Sequence, residues 1–517
     1  MSLEPLDALL VSESDHFLPS SDPAGKSSFS PLYEYLNKPL QALSLPFHYH
    51  LDSPQRCSLS YLAGFLRSSG FSCAAADNVL RDPAEAARFG ELLKRRPAVV
   101  GISTSSLHKA SSVEAIAARV RAVSPSSVIA IGGSGLGFTP AMAEYADVMV
   151  EGDGELALAE LVGAVKNGAA PGDRPGLIRG LSSEAGAVPV LKGRRDLSLD
   201  YLPDWGASQR RSACFPLEAS RGCAHSCVFC SYPGRGGQEY RPLEPVLKEI
   251  RFLVRDLGAR CLRFVDTNLT SDTAWVERLC RALIKEGLQV PWSCFARADE
   301  LAREPGLCLL MAEAGCFWIY SGVESPDAGI LGGMRKGFSP GQIAESVCNV
   351  KKAGMAYHAN FVVGFPGETA QSVARARDFI VSSGMDTVSF TVLGVTRELA
   401  AQALRDPGGF GGLTGEGHSW RHSGMDYAAA RELTAGIIGE IAARDGAPLI
   451  ASHGIGVYYL MGGGEDFSGV LGYFAAVRAW HRAQARGDSA AAGLELEKIR
   501  RIYSRTSAGF AVPVGLP

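Results

Sequence analysis

Twice along this chain, short apolar runs alternate with amphipathic stretches, and that rhythm leaves few folds open. In the first third the runs are Ala98-Val99-Val100-Gly101-Ile102, Val128-Ile129-Ala130-Ile131 and Val148-Met149-Val150. Helical patterns separate them over 108–122 and 154–166; earlier, Leu59, Leu62, Ala63 and Leu66 recur at helical spacing, with Gly70 as the stop. Strand, helix, strand in this order builds a doubly wound, Rossmann-like parallel sheet with right-handed crossovers and helices on both faces. Such sheets hold ligands at the carboxyl ends of their strands. Small or polar residues stand at each of those ends: Ser103-Thr104-Ser105-Ser106, Gly132-Gly133-Ser134-Gly135 and Glu151-Gly152-Asp153-Gly154-Glu155.

Residues 167–205 are richer in Gly, Ala, Pro and Arg, lose the periodicity and read as a linker with at most a small hairpin. A second series starts at Cys214–Leu217. An apolar stripe of Leu243, Val246, Leu247, Ile250, Val254 and Leu257 ends at Gly258. Strands follow at Cys261–Val265, Trp292–Ala296, Phe317–Tyr320, Phe361–Val363 and Val388–Leu393, each after a helical pattern. Six βα repeats are too few for an eight-fold barrel and suit a partial (β/α)6 one. Beyond 396 the pattern weakens; Gly408–Gly412 reads as a flexible stretch, 427–444 as a helix, and the Ala- and Arg-rich remainder as helical. The expected α/β architecture is therefore a doubly wound domain over 1–195, a partial barrel over 196–395 and a mostly helical region over 396–517.

Length agrees, since 517 residues at roughly 150 per domain give about three domains. Lys+Arg 51 against Asp+Glu 54 leaves a net charge of −3, which offers no basic excess for a nucleic-acid partner. Acidic residues in Met1-Ser-Leu-Glu-Pro-Leu-Asp argue against a signal peptide, and no run of apolar residues is long enough to span a membrane. Twelve cysteines then imply reduced thiols in a cytoplasm. Cys73, Cys261, Cys280, Cys308, Cys316 and Cys348 stand singly among apolar residues and read as small core hydrophobes.

Three cysteines are different. Arg221-Gly222-Cys223-Ala-His-Ser-Cys227-Val-Phe-Cys230 follows the first strand of the second series with C-x3-C-x2-C spacing. Thiolates gathered in one loop call for a soft metal centre. Structural zinc normally takes four protein ligands, and His225, the nominal fourth, sits inside the loop where tetrahedral closure is strained. Three cysteines leave one metal position open, as an iron–sulfur cluster that binds a substrate requires. The iron–sulfur reading is preferred, with zinc as its alternative.

This loop resembles the radical S-adenosylmethionine (SAM) superfamily, in which three such cysteines hold a 4Fe–4S cluster whose open iron chelates SAM. The resemblance implies that role for Cys223, Cys227 and Cys230 and places Phe229 near the adenine. Tyr320-Ser321-Gly322-Val323-Glu324-Ser325 is similar to the family's ribose motif, with Glu324 accepting from the hydroxyls. Arg297 stands where relatives place a basic contact to the SAM carboxylate, and Phe361-Val-Val-Gly364-Phe-Pro-Gly367-Glu368-Thr369 is similar to the segment that packs on the adenine.

The first domain lacks a leading G-x-G-x-x-G. It resembles instead the cobalamin-binding domain joined to many radical SAM enzymes, which implies corrinoid contacts from Ser103, Thr104, Ser105, Gly132, Gly133, Ser134, Gly152, Gly154 and Glu155. The D-x-H-x-x-G motif that supplies an axial histidine elsewhere is missing. His16 and His108 lack its context and read as solvated or core histidines, so no histidine of this chain is expected on cobalt.

The combination resembles the cobalamin-dependent radical SAM methyltransferases. Tyr35-Leu-Asn-Lys-Pro-Leu and Trp420-Arg-His422-Ser-Gly-Met425-Asp426 are similar to the subgroup of phosphinate P-methyltransferases and tryptophan 2-methyltransferases. This implies methylation of a small molecule or peptide, with reducing equivalents from a flavodoxin or ferredoxin. Trp420, His422 and Asp426 line a substrate pocket or cap the helix that starts at 427. Oxidation, cyclisation or rearrangement on the same cofactors is the enzymatic alternative, and a zinc or corrinoid sensor the other. Methylthiotransferases are set aside because they need three further cysteines in the first domain, which here offers Cys57 and Cys73.

Overall fold

In the first series, side chains alternate between two sheet faces, and helices bury both. The computed structural model describes residues 4–14, 30–45, 56–107, 109–168, 177–178, 188–206, 212–230, 232, 234 and 236–510. His16 and His108 lie outside them. The described residues form two compact units, one of 4–14 and 56–206, the other of 30–45 and 212–510.

The first unit contains β1 (Ala8–Ser12), β2 (Cys73–Asp77), β3 (Val99–Ser103), β4 (Val128–Gly132), β5 (Val148–Glu151), β6 (Leu177–Ile178) and β7 (Val190–Lys192). Their order is β2-β1-β3-β4-β5-β7-β6, parallel throughout except for β6 against β7. Ala8, Leu10, Val99 and Ala130 pack under the helices Cys57–Ser68 and Gly154–Lys166. Leu9, Val11, Val100 and Ile131 pack under Pro83–Leu93 and Ala110–Val123. This is the expected doubly wound sheet. Sequence periodicity missed the edge strand β2 and its neighbour β1, and the expected linker hairpin joins the sheet beside β5.

The second unit begins with β8 (Cys214–Leu217), and a hairpin of β9 (Ser220–Cys223) and β10 (Gly237–Tyr240) follows. Then come β11 (Cys261–Phe264), β12 (Trp292–Phe295), β13 (Cys316–Glu324), β14 (Ala356–Val363) and β15 (Thr387–Val392). Strands β16 (Thr414–Glu416), β17 (Ser419–His422) and β18 (Met425–Asp426) form a small antiparallel sheet within the region expected to be mostly helical. With β19 (Leu449–Ile450), the barrel sheet reads β19-β15-β14-β13-β12-β11-β8, parallel throughout. It thus has one strand more than the six repeats read from sequence.

After β19 the chain turns through the π-helical segment Ile455–Met461, which packs on β8, and Ala213 N–H donates to the Gly462 carbonyl at 2.8 Å. This segment spans the seam between the two ends of the sheet. The helix Ser30–Ala42, though early in sequence, counts with this unit. Tyr35 stacks on His481 at 4.0 Å, and the His481 ring donates to the Tyr35 carbonyl at 2.9 Å.

Of the scattered cysteines, Cys73, Cys261, Cys280, Cys308 and Cys316 are buried as expected. Cys348 is a correction: it is exposed on the helix Pro340–Lys352, whose buried stripe is Ile343, Ser346, Val347 and Val350. Among the described residues, no helix is long and apolar enough to cross a membrane.

A Cβ at Gly456 would lie 2.9 Å from the ring of Trp318, which is itself fully buried. Gly456→Ala is therefore expected to loosen the closing segment at a cost of about 1–3 kcal/mol, as overpacking does. A lowered urea midpoint checks this.

Candidate active site

The cysteine loop leaves the sheet at the end of β8 and returns by way of β10. The Cys223 N–H donates to the Gly234 carbonyl at 2.9 Å, and the Gly236 N–H donates to the Cys223 carbonyl at 2.8 Å. The Cys230 N–H reaches the Cys227 carbonyl at 3.2 Å, and the Tyr232 N–H points at Cys230 Sγ at 3.4 Å. Cys227 is buried while Cys223 and Cys230 are half-buried, and none of the three is in a disulfide. Val228 N–H donates to the Met334 carbonyl at 3.2 Å, and Cys227 Sγ lies 3.9 Å from the Arg335 carbonyl. The loop is therefore stitched to the turn that carries Lys336.

Among the described residues, no three His, Cys, Asp or Glu side chains are grouped so as to hold one metal ion. A polynuclear cluster takes each cysteine on a different iron, so three free thiols on one loop suit it. His225 leans the other way, with Nε2 3.7 Å from the buried Glu300 carboxylate.

Beside the loop lies a cradle of charges and rings. Strand β13 continues through Glu324, so the ribose-like motif lies within the strand and does not follow it, as sequence had suggested. A register shift falls between Gly322 and Glu324, and Glu324 takes φ of 65°, a strained value for a non-glycine residue. Its carboxylate sits 3.4 Å from Lys336 Nζ and accepts from the Asn360 amide at 3.1 Å. Lys336 Nζ lies 5.9 Å over Phe229 and 5.3 Å over Phe338. Phe229 meets Phe365 edge to face at 6.5 Å.

Arg297 ion-pairs with Asp299 at 2.9 Å and donates to the Lys336 carbonyl, and its guanidinium lies 5.1 Å over Phe338. Sequence reading passed over Lys336. The only signal was the run Arg335-Lys336-Gly337-Phe338 just past the short helix Ala328–Gly333.

Phe361 is a correction. Alternation turns its side chain away from Asn360, and it stacks on Phe390 at 5.9 Å in the layer beneath the helices. The loop after β14 is held by Glu368, which accepts from the N–H groups of Gly364 at 2.6 Å and Phe365 at 3.2 Å. Trp420 donates to the Leu393 carbonyl at 2.7 Å and stacks on His422, which lies 3.2 Å from the Gly364 carbonyl. Of the pair of roles left open, Asp426 takes the cap, accepting from Ala429 N–H at 2.8 Å.

In the first unit the ends of β3 and β4 meet. Thr104 donates through N–H (2.8 Å) and hydroxyl (3.1 Å) to the Gly132 carbonyl. Gly133 has φ of 121°, and a Cβ there would sit 2.8 Å from Ser105 Oγ and 2.9 Å from Ser105 N. Ser103, Thr104, Ser105, Gly132, Gly133 and Ser134 thus build one floor of small residues. The next strand end differs: Glu155 is buried and accepts from the Tyr201 hydroxyl at 3.3 Å, and the Gly193 N–H donates to the Glu151 carbonyl at 2.7 Å beside Gly152 and Gly154. Arg56, which sequence did not single out, spans the ends of β2 and β3, reaching Asp77 at 2.8 Å and Ser106 at 2.7 Å.

Residues 217–380 match the radical SAM superfamily, and residues 55–162 match the B12 binding domain. An uncharacterised methyltransferase of Pyrococcus horikoshii is 28% identical over 355 residues, which is 65% of this chain and 74% of that protein. The anaerobic magnesium-protoporphyrin IX monomethyl ester cyclase of Rubrivivax gelatinosus is 27% identical over 336 residues, 61% of this chain and 60% of that protein. The solved structure of TsrM, a radical SAM methyltransferase from Kitasatospora setae with cobalamin and a [4Fe-4S] cluster bound, shares the fold. Its TM-score is 0.61 at 17% identity, over 98% of this chain and 100% of that one.

Burial pushes the Glu368 carboxyl up from 4.5 to about 7, against the two N–H donors. The folded chain then holds a proton that the unfolded chain has released, so this group's contribution falls as pH rises from 4.5 to 7. Glu368→Gln should remove that decline. Relative to wild type, the variant should gain roughly 3 kcal/mol between those limits, read from denaturation at pH 4.5 and 7.5.

Proposed function

This chain is a cobalamin-dependent radical SAM enzyme of the methyltransferase family, and we propose that it methylates a small molecule or peptide of natural-product biosynthesis. The methyl acceptor in this reading is an unactivated carbon or a phosphinate phosphorus. One observation carries the proposal: a single chain holds both the three-cysteine loop beside the Glu324–Lys336 cradle and a doubly wound unit with a small-residue floor.

When bound, the cluster supplies reductive cleavage of SAM, and cobalamin supplies methyl transfer. The protein's part is to hold and orient. Cys223, Cys227 and Cys230 anchor the cluster, and the Tyr232 N–H directed at Cys230 Sγ tempers the charge on that sulfur. Glu324 accepts from the ribose hydroxyls, for which an ionised carboxylate is the stronger acceptor. Phe229 and Phe365 present an apolar wall to the adenine. Lys336 offers the ammonium for the SAM carboxylate. Arg297, tied to Asp299 and to the Lys336 carbonyl, holds that lysine in place. In the first unit the β3 and β4 ends admit a corrin face close to the backbone. Flavodoxin or ferredoxin is the electron donor, in a cytoplasmic setting.

A second reading, cyclisation on the same cofactors, is favoured by the 27% identity to a cyclase. Anaerobic reconstitution with iron, sulfide, cobalamin and candidate substrates decides between them. S-adenosylhomocysteine together with 5′-deoxyadenosine marks radical methylation. S-adenosylhomocysteine alone marks polar transfer. 5′-Deoxyadenosine with no methylated product marks cyclisation or oxidation, and neither product from fully loaded enzyme overturns both readings.

Cys227→Ala is expected to abolish cluster absorbance and all SAM turnover. Gly133→Val should lower retained cobalamin several-fold while leaving iron content unchanged. Metal analysis and the corrinoid absorption bands check both.

A further inference from the structure

Within the second unit, one buried cation has no counter-charge among the described residues. Arg263, on β11, is 6% exposed. Its guanidinium lies 4.9 Å over the Phe295 ring and 4.2 Å over the Tyr458 ring. Among the described residues it makes no ion pair and no hydrogen bond, and its Nε is buried without a partner. Ring faces attract a cation but cannot accept from five directed N–H donors. Buried charges are ordinarily paired. The other buried cations of this unit obey that rule: Arg241 has Glu249 at 2.7 Å, Arg297 has Asp299 at 2.9 Å and Lys336 has Glu324 at 3.4 Å.

The surroundings share the deficit. His453, 3% exposed, has no partner for either ring nitrogen. It sits 5.7 Å from Phe295 and 4.8 Å from Trp318, whose indole N–H is also buried and unpartnered. Ser293, the register neighbour of Arg263, has an unpartnered buried hydroxyl. His358, by contrast, is fully engaged, by Thr387 at 2.8 Å and Ser389 at 2.9 Å. Burial, and then the charge of Arg263, lowers His358 to about 3. The same causes lower His453, with His358 adding to them. Both shifts favour the neutral imidazole, in which His453 offers a donor and an acceptor beside the charged Arg263.

A ladder of hydrogen bonds links this layer to the cradle. Ser389 donates to Asn360 Oδ1 at 3.0 Å, and the Asn360 amide donates to Glu324 at 3.1 Å.

We propose that Arg263 and His453 form the binding site for an oxyanion of the substrate, a carboxylate, phosphonate or phosphinate held inside the barrel. This deepens the methyltransferase reading and rests on it for the word substrate. The same oxyanion chemistry is present in the SAM carboxylate, and the test separates the two sources.

Anaerobic holoenzyme is titrated calorimetrically with methylphosphonate, with acetate, and with acetamide as the neutral control. Saturable binding of at least one oxyanion and none of acetamide is expected. Arg263→Met should weaken it about tenfold or more, the loss of a charge-assisted hydrogen bond. Arg263→Lys should restore part of that affinity, and His453→Phe should weaken binding less than Arg263→Met. The SAM-induced change in the electron paramagnetic resonance spectrum of the reduced cluster should survive in every variant.

No oxyanion binding by wild type, or equal binding by Arg263→Met, overturns the proposal. So does loss of the SAM-induced spectral change in Arg263→Met, which would assign the anion to SAM. If Arg263→Met does not fold, His453→Phe carries the same test, and unchanged affinity there overturns it. Binding is read independently of S-adenosylhomocysteine formation, so failure of the methyltransferase reading shows separately.

Discussion

Parallel strands joined by right-handed crossovers all end at one edge, and the packing that buries both faces leaves that edge as the place where polar groups gather. The constraint operates twice in this chain. In the first unit, register places Ser12, Ser103 and Gly132 side by side at the ends of β1, β3 and β4. In the second, Cys223, Arg297, Glu324 and Gly364 all sit at or just past strand ends. Residues far apart in sequence thus become neighbours.

The cradle adds a second condition. Glu324 and Lys336 are both nearly inaccessible, and a buried ion pair is a poor source of stability because desolvation offsets the attraction. Its value is orientation. The strained backbone at Glu324 is held by the Lys336 and Asn360 side chains that its carboxylate engages. Under the proposed function, a nucleotide bringing hydroxyls for the carboxylate and an anion for the ammonium would meet both charges already aimed.

How much of this was legible in the sequence depended on the kind of signal. The cysteine spacing and the small residues at Ser103–Ser105 and Gly132–Ser134 are local, and they stand where a sequence reading puts them. Strand β2, Cys-Ala-Ala-Ala-Asp, carries too little hydrophobicity to register, and β1 is a five-residue run whose helical partner Cys57–Ser68 lies far along the sequence. Phe361 matched a motif by position, but one step of alternation sends its ring to the other face. Lys336 was hidden because its importance arises from Phe229, Glu324 and Phe338, whose convergence on it is tertiary. Arg263 reads on paper as a strand residue, and what makes it unusual is that no carboxylate among the described residues pairs with it in three dimensions.

The helix Ser30–Ala42 emerges early from the ribosome but belongs with partners at the other end of the chain, Tyr35 meeting His481 across 446 residues. Closing so long a loop delays its docking until Phe467–Ala485 has been made. Until then the apolar side of this helix is a nascent-chain liability that a chaperone or transient misplacement must cover. A fragment begun at residue 211 would lack the helix altogether and bare the surface it shields. The second unit is therefore contiguous in space yet cannot be excised as a single stretch of sequence.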